Sequence, residues 1–159
     1  LMIGLAGGFL AGGVASAFEA SLKHEVALAF FLPLVVYMAD AVGTQTETVL
    51  VRRLAYGDVE LWAQLVKEVF IGASIGIIIA VVATAGLWIW DGQPTLAIVV
   101  GASLGVTAIV ATVMASLLPL GLVRLGADPA LASGPVATVV QDILSVGIYL
   151  MIATALLPR

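Results

Sequence analysis

Five apolar stretches, at about 1–18, 26–54, 65–90, 95–122 and 136–157, take up nearly all of this chain, with only short polar connectors between them. A helix of about 20 apolar residues crosses the roughly 30 Å hydrocarbon core of a bilayer. Each stretch is near that length, so the sequence predicts an all-α membrane protein with five transmembrane helices per protomer. Only 10% of the residues are charged, against about 25% in soluble domains. With 159 residues in total, five spans leave no room for a separate soluble domain.

Composition narrows the chemistry. Cysteine is absent, which excludes disulfides, zinc–thiolate sites, iron–sulfur clusters and thiol catalysis. His24 is the single histidine, so one chain cannot build a multi-histidine metal site. The formal net charge is -4, and no basic run suggests nucleic acid or an anionic-lipid patch as a partner. Leu1-Met2-Ile3 runs straight into an apolar stretch with no basic n-region. The chain therefore reads as an excised transmembrane domain rather than one opening on a signal peptide.

Several local signals organise the spans. Gly4, Gly7, Gly8, Gly12 and Gly13 would let the first helix approach a neighbour closely. Residues 19–25 form a polar loop. Pro33 and Pro119 each remove an intrahelical hydrogen bond and free a carbonyl. Asp91-Gly92-Gln93-Pro94 is a turn. Gly72-Ala73-Ser74-Ile75-Gly76 and Gly101-Ala102-Ser103-Leu104-Gly105 are small-xxx-small packing faces on the third and fourth spans. Asp128-Pro129 matches the N-cap and first position of a short helix. With an odd number of spans, Arg52, Arg53, Lys67 and Arg124 share one side, and Lys23 and Arg159 the other. The richer side is expected to be cytoplasmic, giving a multi-pass cell-membrane protein with its N-terminus inside and C-terminus outside.

Three acids interrupt this pattern: Asp40 and Glu47 in the second span and Asp142 in the fifth. A charge at the bilayer centre costs about 2.5–3.5 kcal/mol on insertion scales, so such residues face a partner, a water-filled cavity or an ion. Asp40, Thr44 and Glu47 stand at i, i+4, i+7 on one helical face, with Gly43 beside them. Thr138, Asp142, Ser145 and Tyr149 form a similar stripe on the fifth span. Asp40 lies about 24 Å below the start of its span and Asp142 about 10 Å above the opposite face. Both acids thus fall in the cytoplasmic third, with Glu47 nearer the cytoplasmic mouth. Glu19, Glu25, Asp58, Glu60, Glu68 and Asp91 read as solvated loop or interface charges. Ser133-Gly134-Pro135 interrupts the helix entering the fifth span, where carbonyls can line a cavity. Carboxylate, carbonyl and hydroxyl oxygens suit hard cations such as Mg²⁺ or Ca²⁺ better than zinc or copper.

The order Phe31-Leu32-Pro33-Leu34, Gly43-Thr44-Gln45-Thr46 and Arg52-Arg53-Leu54-Ala55 resembles the second helix of the MgtE magnesium channels and their solute-carrier relatives. Lys67-Glu68 and the stretch from Leu125 to Thr138, followed by Asp142, are similar to that family too. The resemblance implies a homodimer whose pore is lined by the second and fifth helices of both chains. It places hydrated Mg²⁺ at Asp142, with Gly134 and Thr138 completing the site. Gly43, Thr44, Gln45, Ser145 and Pro135 are expected along the pore, and Asp40 and Glu47 as additional metal-attracting acids. It also implies cytoplasmic Mg²⁺-sensing domains that are absent from this chain. One departure stands out. Where the family carries Gly-Gly-Asn-Thr-Gly-Asn-Gln, this chain reads Ala39-Asp40-Ala41-Val42-Gly43-Thr44-Gln45, and Glu47 replaces a small residue.

The expected function is therefore transport of Mg²⁺, with other divalent cations open, and no enzymatic activity. One alternative is a Na⁺- or H⁺-coupled Mg²⁺ exchanger using Asp40 and Asp142. A remote one is an intramembrane aspartyl protease, although its Gly-x-Gly-Asp is missing because Asp142 follows Val139-Val140-Gln141. An assembly subunit without transport of its own is the remaining structural alternative.

Overall fold

A computed structural model describes residues 2–56, 60–129 and 134–157. Those residues form helices only: α1 (Met2–Ala17), α2 (Glu19–His24), α3 (Ala27–Leu54), α4 (Leu61–Asp91), α5 (Pro94–Arg124) and α6 (Pro135–Leu156). By length and composition α3, α4, α5 and α6 can each cross a membrane, so this is a multi-pass membrane protein. α1 is apolar too, but shorter, at 16 residues.

Residues 19–24, expected as loop, are helical because Glu19 and Lys23 stand one turn apart and pair at 2.5 Å. Pro33 and Pro119 lie inside helices that continue past them, so the hydrogen bond each removes does not end the helix. Residues 130–133, where the short helix after Asp128 was expected, lie outside the described residues.

The α4–α5 hairpin follows from its small residues. Gly92 takes the left-handed conformation at φ 71°, its N–H bonds the Trp88 carbonyl at 3.0 Å, and Pro94 opens α5. The two helices then run antiparallel: Gly72 faces Ile109 and Thr112, Gly76 faces Gly105, and Gly101 faces Ala80 and Thr84. A Cβ on Gly76 would sit 2.6 Å from the Gly105 carbonyl oxygen, so the two backbones touch. The glycines of α1 behave otherwise. Only Gly7 packs closely, against Val139 of α6, whereas a Cβ on Gly4, Gly8, Gly12 or Gly13 would meet nothing within 4 Å.

α5 is the central helix. Inside the chain 61% of an 18-residue apolar stretch of α5 is buried, against 11% of such a stretch of α4, and it packs against α3, α4 and α6. α1 packs on α6. The apolar core gathers at one end of the bundle, around Leu28, Val35, Val99, Val100, Leu104, Val146 and Leu150. There the fully buried Tyr149 donates from its hydroxyl to the Leu28 carbonyl at 2.9 Å, tying α6 to the start of α3. Tyr149→Phe leaves that carbonyl without its partner and should cost about 1 kcal/mol. A thermal melt of the detergent-solubilised protein checks this, and an unchanged midpoint would count against the bond's contribution.

Candidate cation site

The C-terminal half of α3 and the N-terminal half of α6 differ from that apolar end. On α3 the buried side is Val35, Ala39, Val42, Gly43, Glu47 and Leu50, at helical spacing. Thr44 and Gln45 are exposed, and Asp40 is half-buried between the two sides. On α6 Thr138 is exposed, Asp142 is half-buried and Ser145 is buried. The polar stripes read from the sequence are therefore seams. Their members pass from open surface, at Thr44 and Thr138, to helix interface, at Glu47 and Ser145.

Gly43 sets the closeness of this seam. The Gln141 amide of α6 occupies the space where a Gly43 side chain would be. Its neighbour Asp142 thereby comes level with α3 near Asp40. The Asp40 carboxylate is close enough to both Asp142 and Glu47 for their charges to interact. None of the three acids makes an ion pair among the described residues; the pair found there is Lys23–Glu19. Three unneutralised carboxylates in one region attract cations. They do not chelate as a unit, because no group of three or more Asp, Glu, His or Cys among the described residues is placed to hold one metal ion. Such spacing suits an ion that keeps its water, as Mg²⁺ does, since it dehydrates reluctantly.

The remaining expected residues are placed as follows. Gly134 is extended at φ -142° and opens α6, with Pro135 at the first position. Its carbonyl already accepts from the N–H of Ala137 at 3.0 Å and of Thr138 at 3.4 Å. Ser145 donates to the Asp142 carbonyl at 3.0 Å, so its proton is committed to the helix. Ser133 lies outside the described residues.

Glu47 was expected near an open mouth, yet it is only 5% exposed, and its Oε1 has no hydrogen-bond partner. The reason is angular: Glu47 lies on the edge of the α3 face that packs inward, next to the row of Gly43 and Leu50. Glu68, expected as a solvated charge, is also buried at 5%. Gln64 donates to its Oε1 at 2.5 Å, and Arg53 donates to the Gln64 Oε1 at 3.4 Å. That chain links the end of α3 to the start of α4. Its sequence signal was the Gln64–Glu68 spacing of one turn. Gln141 was overlooked as a site residue; its signal was a polar amide beside Asp142 in an otherwise apolar helix.

Residues 32–152 match the family model described as MgtE, divalent cation transporter. The chain is similar to "Magnesium transporter MgtE" of Bacillus subtilis (strain 168), at 39% identity over 155 residues, covering 93% of this chain and 34% of the relative. Its likeness to the protein of the same name from Thermus thermophilus is 34% identity, covering 99% of this chain and 35% of the relative. For the Enterococcus faecalis protein the identity is 32%, covering 92% and 33%. The chain thus spans about a third of the length of the curated relatives it matches. Because that family consists of transporters and not enzymes, the aspartyl-protease alternative falls. The family match and the membrane-spanning helices lead to one conclusion: the chain belongs to the MgtE family of divalent cation transporters.

Proposed function

We propose that this chain is the ion-conducting membrane part of a Mg²⁺ transporter, and that two copies form the pore. The observation that carries the reading is the seam where Gln141 of α6 packs against Gly43 of α3, with Asp142 and Asp40 beside it, both half-buried and neither in an ion pair. Thr44 and Thr138 lie open on the same two helices. A single chain offers one side of a hydrophilic passage there, and a second copy related by a two-fold axis would supply the other. Asp142 is the central station, holding Mg²⁺ through retained water. Asp40 adds charge at its level, and Thr138 with the Gly134 backbone flanks it. The N-terminus is cytoplasmic and the C-terminus outside, following the distribution of Lys and Arg.

The test is reconstitution. Proteoliposomes containing the purified chain should accumulate Mg²⁺, read with an entrapped fluorescent indicator, at a rate well above protein-free vesicles. A rate equal to protein-free vesicles would reject the proposal for this chain. Cross-linking in the same vesicles should give dimers, and a strictly monomeric band would remove the shared pore.

A further inference from the structure

We infer that each protomer carries a second cation station, made by the Glu47 carboxylate and the side-chain carbonyl of Gln141. It deepens the transport reading above and rests on it. Glu47 is 5% and Gln141 4% exposed, and each has an Oε1 with no hydrogen-bond partner. Both belong to the same seam. Gly43 lies directly against the Gln141 amide, and Glu47 follows Gly43 by one turn, about 6 Å along α3.

An ionised carboxylate and an amide carbonyl are both acceptors and cannot satisfy one another. Left alone, each forfeits its solvation, and the charged group forfeits more. What they need is a donor or a cation between them. No base pairs with Glu47 among the described residues: α6 has no Lys or Arg, the bases of α3 are Arg52 and Arg53 at its end, and the base of α5 is Arg124 at its last position. Asp40, the charged group that reaches Glu47 electrostatically, is itself acidic. A carboxylate with an amide carbonyl is a hard-oxygen pair, suited to Mg²⁺ or Na⁺ and not to a soft metal.

Space decides the hydration state. Beside Gln141, a cavity of about 10 Å³ lies between α3, α5 and α6, lined by Ala39, Thr107, Ala111, Gln141 and Ser145. That volume admits about one water molecule. Glu47 does not line that cavity, and both it and Gln141 are buried, so an ion held between them gives up part of its shell, unlike one at the more open Asp142. The station's carboxylate, Glu47, lies seven residues along α3 from Asp40, a rise of about 10 Å, while Gln141 adjoins Asp142 on α6. Two binding points in series let an arriving ion lower the affinity of its predecessor, which is how a strongly charged path still releases its cargo.

Calorimetric titration of the purified full chain tests the station, using Asp142→Asn as background to remove the pore site. One arm titrates MgCl₂ without Na⁺, and the other NaCl without Mg²⁺. Saturable binding should persist in one arm and weaken at least tenfold in Glu47→Gln, a change of nearly equal size. The Gln141→Glu variant, which adds a charge at the same position, should tighten it. Absence of binding in both arms, or binding that Glu47→Gln leaves unchanged, overturns the station. These outcomes are separable from the fate of the transport reading. Wild-type flux with no Glu47-dependent binding removes the station alone, while binding without any flux removes the transport reading.

Discussion

Asp142→Ala should reduce Mg²⁺ uptake into proteoliposomes by about tenfold to a hundredfold, because hydrogen bonds to a charged group contribute about 1.5–3 kcal/mol and 1.4 kcal/mol is a factor of ten. The loss arises at the carboxylate alone. Asp142 is half-buried and its side chain makes no hydrogen bond or ion pair to another described residue, so removing it leaves no partner stranded. The protein should therefore remain folded, which a gel-filtration profile would show. Asp40→Asn, at the same level but on the other helix, should lose less, on the order of a few-fold, by weakening the field and not the station. Uptake unchanged in Asp142→Ala would remove Asp142 from the pathway and with it the central element of the proposed function.

The second large effect concerns packing. Gly76→Leu should prevent the native α4–α5 contact, because a Cβ at that position already lies 2.6 Å from the Gly105 carbonyl oxygen, and backbone cannot step aside as a flexible side chain does. Overpacking a well-packed interior costs about 1–3 kcal/mol, and occasionally more; a whole isobutyl group against backbone belongs at the upper end. The expected result is a drop of several degrees in melting temperature, or failure to purify as a single species. Gly12→Leu is the control, since a Cβ there meets nothing within 4 Å and the substitution should leave the melt nearly unchanged. Equal melting of the two variants would show that the glycine contact contributes little.

Much of this architecture was legible in the sequence because lipid leaves few choices. Apolar stretches of span length had to be helical, and Gly92 with Pro94 marked the hairpin by stereochemistry alone. The small-residue faces of α4 and α5 were readable as contacts, and the structure brings them together. The same signature failed on α1, because small residues permit close approach without specifying a neighbour. Only Gly7 found one, in Val139. Of the candidate site, the helical faces of Asp40 and Asp142 followed from spacing. The inward turn of Glu47 did not, because i, i+7 spacing places two residues about 20° apart, and the edge of a packed face is no wider than that. Glu68 was misread for another reason: a charge near a span end looks solvated until tertiary structure supplies Gln64 and Arg53 as its company.

The central position of α5 has a consequence for how variation in this chain combines. A helix buried along much of its length and shared by α3, α4 and α6 makes their substitutions interdependent. Changes that share a partner do not add, and their interaction energies reach about 0.5–3 kcal/mol. Residues on α3 and α6 that never touch are thus epistatic through α5, while the outward face of α4 drifts almost independently. The two helices that carry the acids touch directly, yet both also rest on a third that carries none of them, and the permissible sequences of α5 are narrowed by the requirements of both.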